Sequence, residues 1–103
     1  MKCLKSYIYL MTAFCWLWIG QVIAAEDAVV EEGRLLYAQN CIFCHQADAI
    51  GKAGFAPSLS NPEFLSVASD KFILGTIRDG RPGTGMPPMA HLGRDKGRAI
   101  VAY

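Results

Sequence analysis

Two thiols three positions apart, followed at once by an imidazole, stand in Cys41-Ile42-Phe43-Cys44-His45. That spacing attaches a c-type haem. Each cysteine adds across one vinyl group of the porphyrin to give a thioether, and the turn between them swings the histidine under the ring so that Nε2 reaches the iron. Cys-x-x-Cys also serves zinc sites and thiol redox centres. A zinc site would have to draw on Cys41, Cys44, His45 and His91. The adjacent Cys44 and His45 would then point to one metal together, which the usual ligand spacings avoid. A disulfide between Cys41 and Cys44 would close too short a loop to add much stability, and it would leave His45 unexplained. A thiol-disulfide oxidoreductase needs a strand-helix-strand context. The flanks here read instead as helical and glycine-rich.

The N-terminus bears on where such chemistry would take place. Lys2 and Lys5 precede an apolar run from Tyr7 to Ile19, broken only by Thr12, and Val22-Ile23-Ala24 places small or modest side chains beyond it. This pattern reads as a secretory signal peptide over residues 1–24, cut after Ala24 or one residue later. The run is short beside the roughly 20 residues of a membrane span. Extended through Gly20, Gln21 and Val22, it could stay as an uncleaved anchor, which would give membrane contact. Cys15 follows Phe14, not a small residue, and so makes no lipidation site. Cleavage removes Cys3 and Cys15 and leaves Cys41 and Cys44 as the thiols of the mature chain. It also removes two of the ten basic residues, so eight face nine acids at a net charge of minus one. No basic tract suggests nucleic acid.

The expected domain, residues 25–103, is small, and chains of this length bury too little apolar surface to dispense with a staple. A porphyrin supplies an apolar disc and, through two thioethers, a covalent clip. The elements that must position it read as helices and loops. Ala25 to Gln39 carries its acids early (Glu26, Asp27, Glu31, Glu32), as the positive end of a helix dipole favours. Val29, Leu36 and Tyr37 can share one stripe of that helix, which runs into the haem turn. Asp48 to Ser60 is a Gly-, Ala- and Pro-rich loop. Asn61-Pro62-Glu63 opens a short helix through Phe64 and Val67. Ser69-Asp70 caps another, with Phe72, Ile73, Thr76 and Ile77 on one face and Gly80 as its stop. The segment Gly80 to Pro88 is a Gly/Pro-rich loop, and Asp95 to Tyr103 is a last helix.

A second axial ligand is the remaining chemical requirement. Thioether sulfur is soft and neutral, and it raises the reduction potential relative to a second imidazole. Met86 and Met89 are the candidates, in a loop where Gly83, Gly85, Pro87 and Pro88 disfavour helix and strand and allow close approach to the ring. His91 is the other available imidazole, and reads better as solvated or edge-packed.

From Gly33 to Tyr103 the chain resembles a monohaem class I cytochrome c. The blocks that carry the likeness are Gly33-Arg34-Leu35-Leu36-Tyr37, Cys41-Ile42-Phe43-Cys44-His45, Ala56-Pro57-Ser58-Leu59, Ile77-Arg78-Asp79-Gly80, Gly85-Met86-Pro87 and Ile100-Val101-Ala102-Tyr103. The resemblance implies an all-α cytochrome c fold of short helices and loops around one covalently bound haem c and its iron. First and last helices would cross at Gly33, with Tyr37 and Tyr103 around the contact. It places the axial methionine before a proline, which selects Met86, and gives the Pro57 carbonyl a hydrogen bond from His45 Nδ1–H. Phe43, Phe55, Phe64 and Phe72 would pack the haem pocket and core.

The function this implies is single-electron transfer with both axial positions filled. The chain would be an exported, periplasmic protein and not an enzyme by itself. It would act as a soluble carrier or as the haem subunit of a larger oxidoreductase, which could be membrane-bound. A haem enzyme or gas sensor would need an iron site left open by Met86. Its partners would be redox proteins, with Arg78, Arg81 and Arg94 near the exposed haem edge facing an acidic surface.

Overall fold

The computed structural model describes residues 8, 9 and 24–103. The expected leader therefore lies largely outside the described residues, while its cleavage point, after Ala24 or one residue later, falls in the first turn of a helix that begins at Ala24. Helix α1 covers residues 24–40 and gives way to a turn at Cys41. Four further helices follow: α2 (Ile42–His45), α3 (Pro62–Val67), α4 (Asp70–Asp79) and α5 (Gly93–Ala102), the last preceded by a 3-10 turn over Ala90–Leu92. Among the described residues the only β pairing is an isolated antiparallel bridge between Lys52 and Ala56. The domain is all-α, as the sequence implied. No helix among the described residues is long and apolar enough to cross a membrane.

The short helices form where their caps dictate. Asn61 Oδ1 accepts the Glu63 N–H at 2.8 Å and the Phe64 N–H at 3.3 Å, with Pro62 at the first helical position. These are donors that the helix itself leaves without partners. Ser69 Oγ does the same for the Phe72 N–H at 3.2 Å, opening α4. That helix stops at Gly80, whose φ of 66° is costly for any residue with a Cβ.

Packing starts from the crossing of α1 and α5. A methyl group on Gly33 would collide with the Ala99 carbonyl and stand 3.0 Å from Tyr103 Cβ, so the two backbones approach as closely as a hydrogen side chain permits. Tyr37 and Tyr103 close over the contact, their ring centroids 5.5 Å apart and tilted by 53°, a favoured aromatic arrangement. Beneath it lies a core of Leu36, Ile77, Ala99 and Ile100, with Cys41, Ile73, Met89, Leu92 and Val101 against its edge. Gly97 gives α5 a second close contact, to Leu74 of α4, where an added methyl would come within 2.7 Å of Leu74 Cδ1.

Some side chains depart from the expected packing. The covered stripe of α1 passes through Val30 and not Val29, which is exposed. Neighbouring helical residues point about 100° apart, so one step decides at the stripe's edge. Of the phenylalanines expected to pack the haem pocket and core, none joins the buried core of the polypeptide: Phe64 is half-buried, and Phe43, Phe55 and Phe72 lie on its surface. The 3-10 turn was not anticipated. It arises where the Met89 N–H donates to the Ile77 carbonyl at 2.9 Å and draws the chain onto α4.

Gly33→Ala tests the crossing. The added methyl must part the two helices, and the haem-loaded protein should lose about 3 kcal/mol in denaturant unfolding. A loss below about 0.5 kcal/mol, the level of an ordinary surface substitution, would mean that the helices do not meet there.

Candidate haem site

Helix α1 delivers the attachment turn. The Cys41 N–H donates to the Tyr37 carbonyl at 2.8 Å, continuing the helical pattern into the turn, and the His45 N–H donates to the Cys41 carbonyl at 2.9 Å. Both thiols sit on this one turn, half-buried and not joined in a disulfide. Burial, and to a lesser extent the neighbouring Cys44, push the Cys41 thiol above its usual range. A disulfide-exchange centre works with the opposite shift.

The turn reverses sharply at Gln46, whose φ of 66° and ψ of 168° fall in a region that costs a residue with a Cβ about 1–3 kcal/mol. Tyr37 compensates from α1. Its hydroxyl donates to the Gln46 carbonyl at 2.7 Å, while its ring is buried under Tyr103. Burial first, then nearby negative charge, raises the Tyr37 phenol to about 12.

From Gln46 the chain loops back beneath the histidine. Gly51, at φ 75°, donates its N–H to the His45 carbonyl at 3.0 Å. A Cβ there would meet the Ala56 and Pro57 carbonyl oxygens at 2.5 Å, so this glycine lets the loop fold flat. The Leu59 N–H closes it on the Ala49 carbonyl at 2.8 Å. The result brings the Pro57 carbonyl to 3.1 Å from Nδ1 of His45, which is 8% exposed. A carbonyl can only accept, so this contact places the proton on Nδ1 and leaves the Nε2 lone pair for a metal.

Met86 and Met89 are placed differently. Met89 packs on the core and is tied to α4 through Ile77. Met86 is half-buried on the loop beyond Gly80, outside that core. A Cβ on Gly80 would meet the Met86 carbonyl oxygen and the Pro87–Pro88 backbone at 2.7 Å, so Gly80 both ends α4 and admits the methionine loop against it. His91 is exposed. Among the described residues no group of three or more His, Cys, Asp or Glu side chains could hold a metal ion. The zinc arrangement of Cys41, Cys44, His45 and His91 is therefore not assembled. Of the three arginines singled out, Arg78 is engaged by Asp79 in two contacts of 2.6 and 2.7 Å. Arg81 and Arg94 form no ion pair among the described residues.

Gly51, Gly80 and Tyr37 thus join the site as residues that shape it. The two glycines were visible in the sequence only as loop markers and a helix stop, and Tyr37 only as packing.

An attachment turn with paired thiols, a buried histidine of defined tautomer and an all-α frame define a c-type haem domain. Residues 28–103 match the family described as cytochrome c oxidase, cbb3-type, subunit III, and the chain belongs to that family. It is 40% identical over 71 residues to the cbb3-type cytochrome c oxidase subunit CcoP of Rubrivivax gelatinosus. That stretch covers 69% of this chain and only 23% of the relative. No solved structure matches the chain. Membership brings covalently bound haem c with its iron.

Alkaline titration tests the Tyr37 strut. A phenol raised from about 10 to about 12 in the folded protein contributes stability that is fully present below pH 10 and is lost as pH climbs through 12. Absorbance titration of the native protein should show a phenolate step near 12 that Tyr37→Phe lacks. The same substitution should remove part of the stability loss over that window. A Tyr37 that ionises near 10 with no loss of structure would contradict the assignment.

Proposed function

We propose that this chain is an exported electron-transfer domain. Cys41 and Cys44 form the thioethers to haem c, and His45 Nε2 and Met86 Sδ fill the two axial positions. The single observation that carries the reading is the buried His45 ring, held through Nδ1 by the Pro57 carbonyl at 3.1 Å beside the paired thiols. When bound, the haem supplies a one-electron couple between ferric and ferrous iron. The chain's own residues set the conditions for it. The Pro57 carbonyl orients the imidazole and increases its basicity as a ligand. Met86 is preferred to Met89 because Met89 is committed to the core by packing and by its backbone bond to Ile77.

Residues 1–24 would act as the export signal, with residues 25–103 as the haem domain on the periplasmic side. Retention of the leader would anchor the domain to the membrane. The relative from Rubrivivax gelatinosus is an oxidase subunit, which supports a haem module of a membrane-bound oxidoreductase over a freely diffusing carrier. An acidic redox partner would meet Arg81 and Arg94, since Asp79 already neutralises Arg78.

Substitution of the two methionines in the haem-loaded protein tests the ligand set. Met86→Ala should abolish the methionine-to-iron charge-transfer band of the ferric state, lower the reduction potential and let carbon monoxide bind the ferrous iron rapidly. Met89→Ala should keep the band and cost about 2 kcal/mol of stability through lost core packing. The reverse pattern would move the ligand to Met89.

A further inference from the structure

The loop that carries Met86 is short of the means to hold a fixed shape. Between Gly80 and Pro88 it contains Gly83 and Gly85, which are conformationally permissive, and Pro82, Pro87 and Pro88, which have no N–H to donate. One side chain makes up the shortfall. Thr84 Oγ1 donates to the Arg81 carbonyl at 2.7 Å and accepts the Met86 N–H at 3.2 Å, using its single proton and one lone pair in opposite directions. Two backbone bonds complete a closed ring. The Thr84 N–H donates to the same Arg81 carbonyl at 3.0 Å, and the Arg81 N–H donates to the Met86 carbonyl at 3.1 Å.

Both backbone polar groups of Met86 are thereby tied down, the carbonyl by Arg81 and the N–H by the threonine hydroxyl. The Met86 N–H finds its acceptor on a side chain, so a substitution can remove that restraint without altering the backbone sequence of glycines and prolines. Thr84 is exposed and lies outside the buried core, so its removal leaves the packing of α1, α4 and α5 as it is.

We propose that Thr84 is a positioning residue for the axial methionine: its hydroxyl holds the Met86 backbone so that the thioether stays on the iron. The inference rests on Met86 being the ligand. Without the hydroxyl, the loop between two glycines gains freedom, and the bound thioether must order it at every rebinding. Two hydrogen bonds of ordinary net strength set the size of the effect, about tenfold in the equilibrium between bound and released methionine.

Cyanide binding to the ferric, haem-loaded protein reads that equilibrium, because cyanide enters when the methionine leaves. Thr84→Val keeps the shape of the side chain and deletes its hydroxyl. It should raise the apparent cyanide affinity about tenfold and weaken the methionine-to-iron charge-transfer band, while the far-ultraviolet circular dichroism stays that of the folded protein. Thr84→Ser should restore both readouts. In a Met86→Ala background, which takes up cyanide freely, Thr84→Val should add nothing. If Met86→Ala opens the iron but Thr84→Val leaves cyanide affinity and the band unchanged, the positioning role is wrong and the ligand assignment stands. An equal effect of Thr84→Val with and without Met86 would also overturn it. If Met86→Ala fails to open the iron, the ligand assignment falls and the role of Thr84 falls with it.

Discussion

Everything that places the site is hung from the contact of α1 with α5 at Gly33. With no side chain at that position, the two backbones touch through Ala99, and Tyr37 and Tyr103 seal the edge. Two lines of structure lead away from it. Along α1 the chain runs without interruption into Cys41 and the attachment turn. Along α5 the contact passes through Gly97 to Leu74 of α4, and the end of α4 at Gly80 admits the Met86 loop. The proposed axial pair sits on elements joined through this crossing and through the shared core of Leu36, Ile77, Ala99 and Ile100. Close-packed interiors transmit small displacements, so the geometry at the iron inherits the tightness of a contact far along the chain.

The histidine side of the site is built from compensations. A reversal at Gln46 puts a side-chain-bearing residue in an unfavourable backbone region, and the Tyr37 hydroxyl offsets part of that cost from outside the turn. The reversal is what lets the following loop return beneath His45. Gly51 then allows the loop to lie flat enough for the Pro57 carbonyl to reach Nδ1. A proline suits that position, because it has a carbonyl to offer and no N–H that would need a partner. The methionine side uses the same economy of means, a positive-φ glycine and a few polar contacts. It is the more exposed half, with Met86 only half-buried.

Much of this was legible in the sequence because the relevant signals are local. Cys41, Cys44 and His45 are fixed by spacing, and Asn61, Pro62, Ser69 and Gly80 mark helix ends through bonds made within three residues. The meeting of Gly33 with the last helix is not local, and it was reached only through the order of the sequence blocks that carry the resemblance. What escaped were features decided by long-range geometry. The stripe of α1 fell on Val30 in place of Val29, and none of the four phenylalanines expected in the haem pocket and core joins the buried core of the polypeptide. Apolar character says that a side chain can be buried and not that it is. The pairing of Arg78 with its neighbour Asp79 was equally open, since a sequence does not say which rotamers two adjacent charges will adopt. Thr84 carried no signal at all among the glycines and prolines around it.

The claim on which the account turns is that His45 offers Nε2 to the iron while its Nδ1 proton is locked on the Pro57 carbonyl. Nitrogen-15 NMR of the histidine-labelled, haem-loaded protein in its diamagnetic ferrous state reads both nitrogens directly. The account predicts a protonated His45 Nδ1 whose hydrogen exchanges slowly with solvent, and an Nε2 that carries no proton. A His45 Nδ1 whose hydrogen exchanges rapidly with solvent, or a ring with its proton on Nε2, would contradict it.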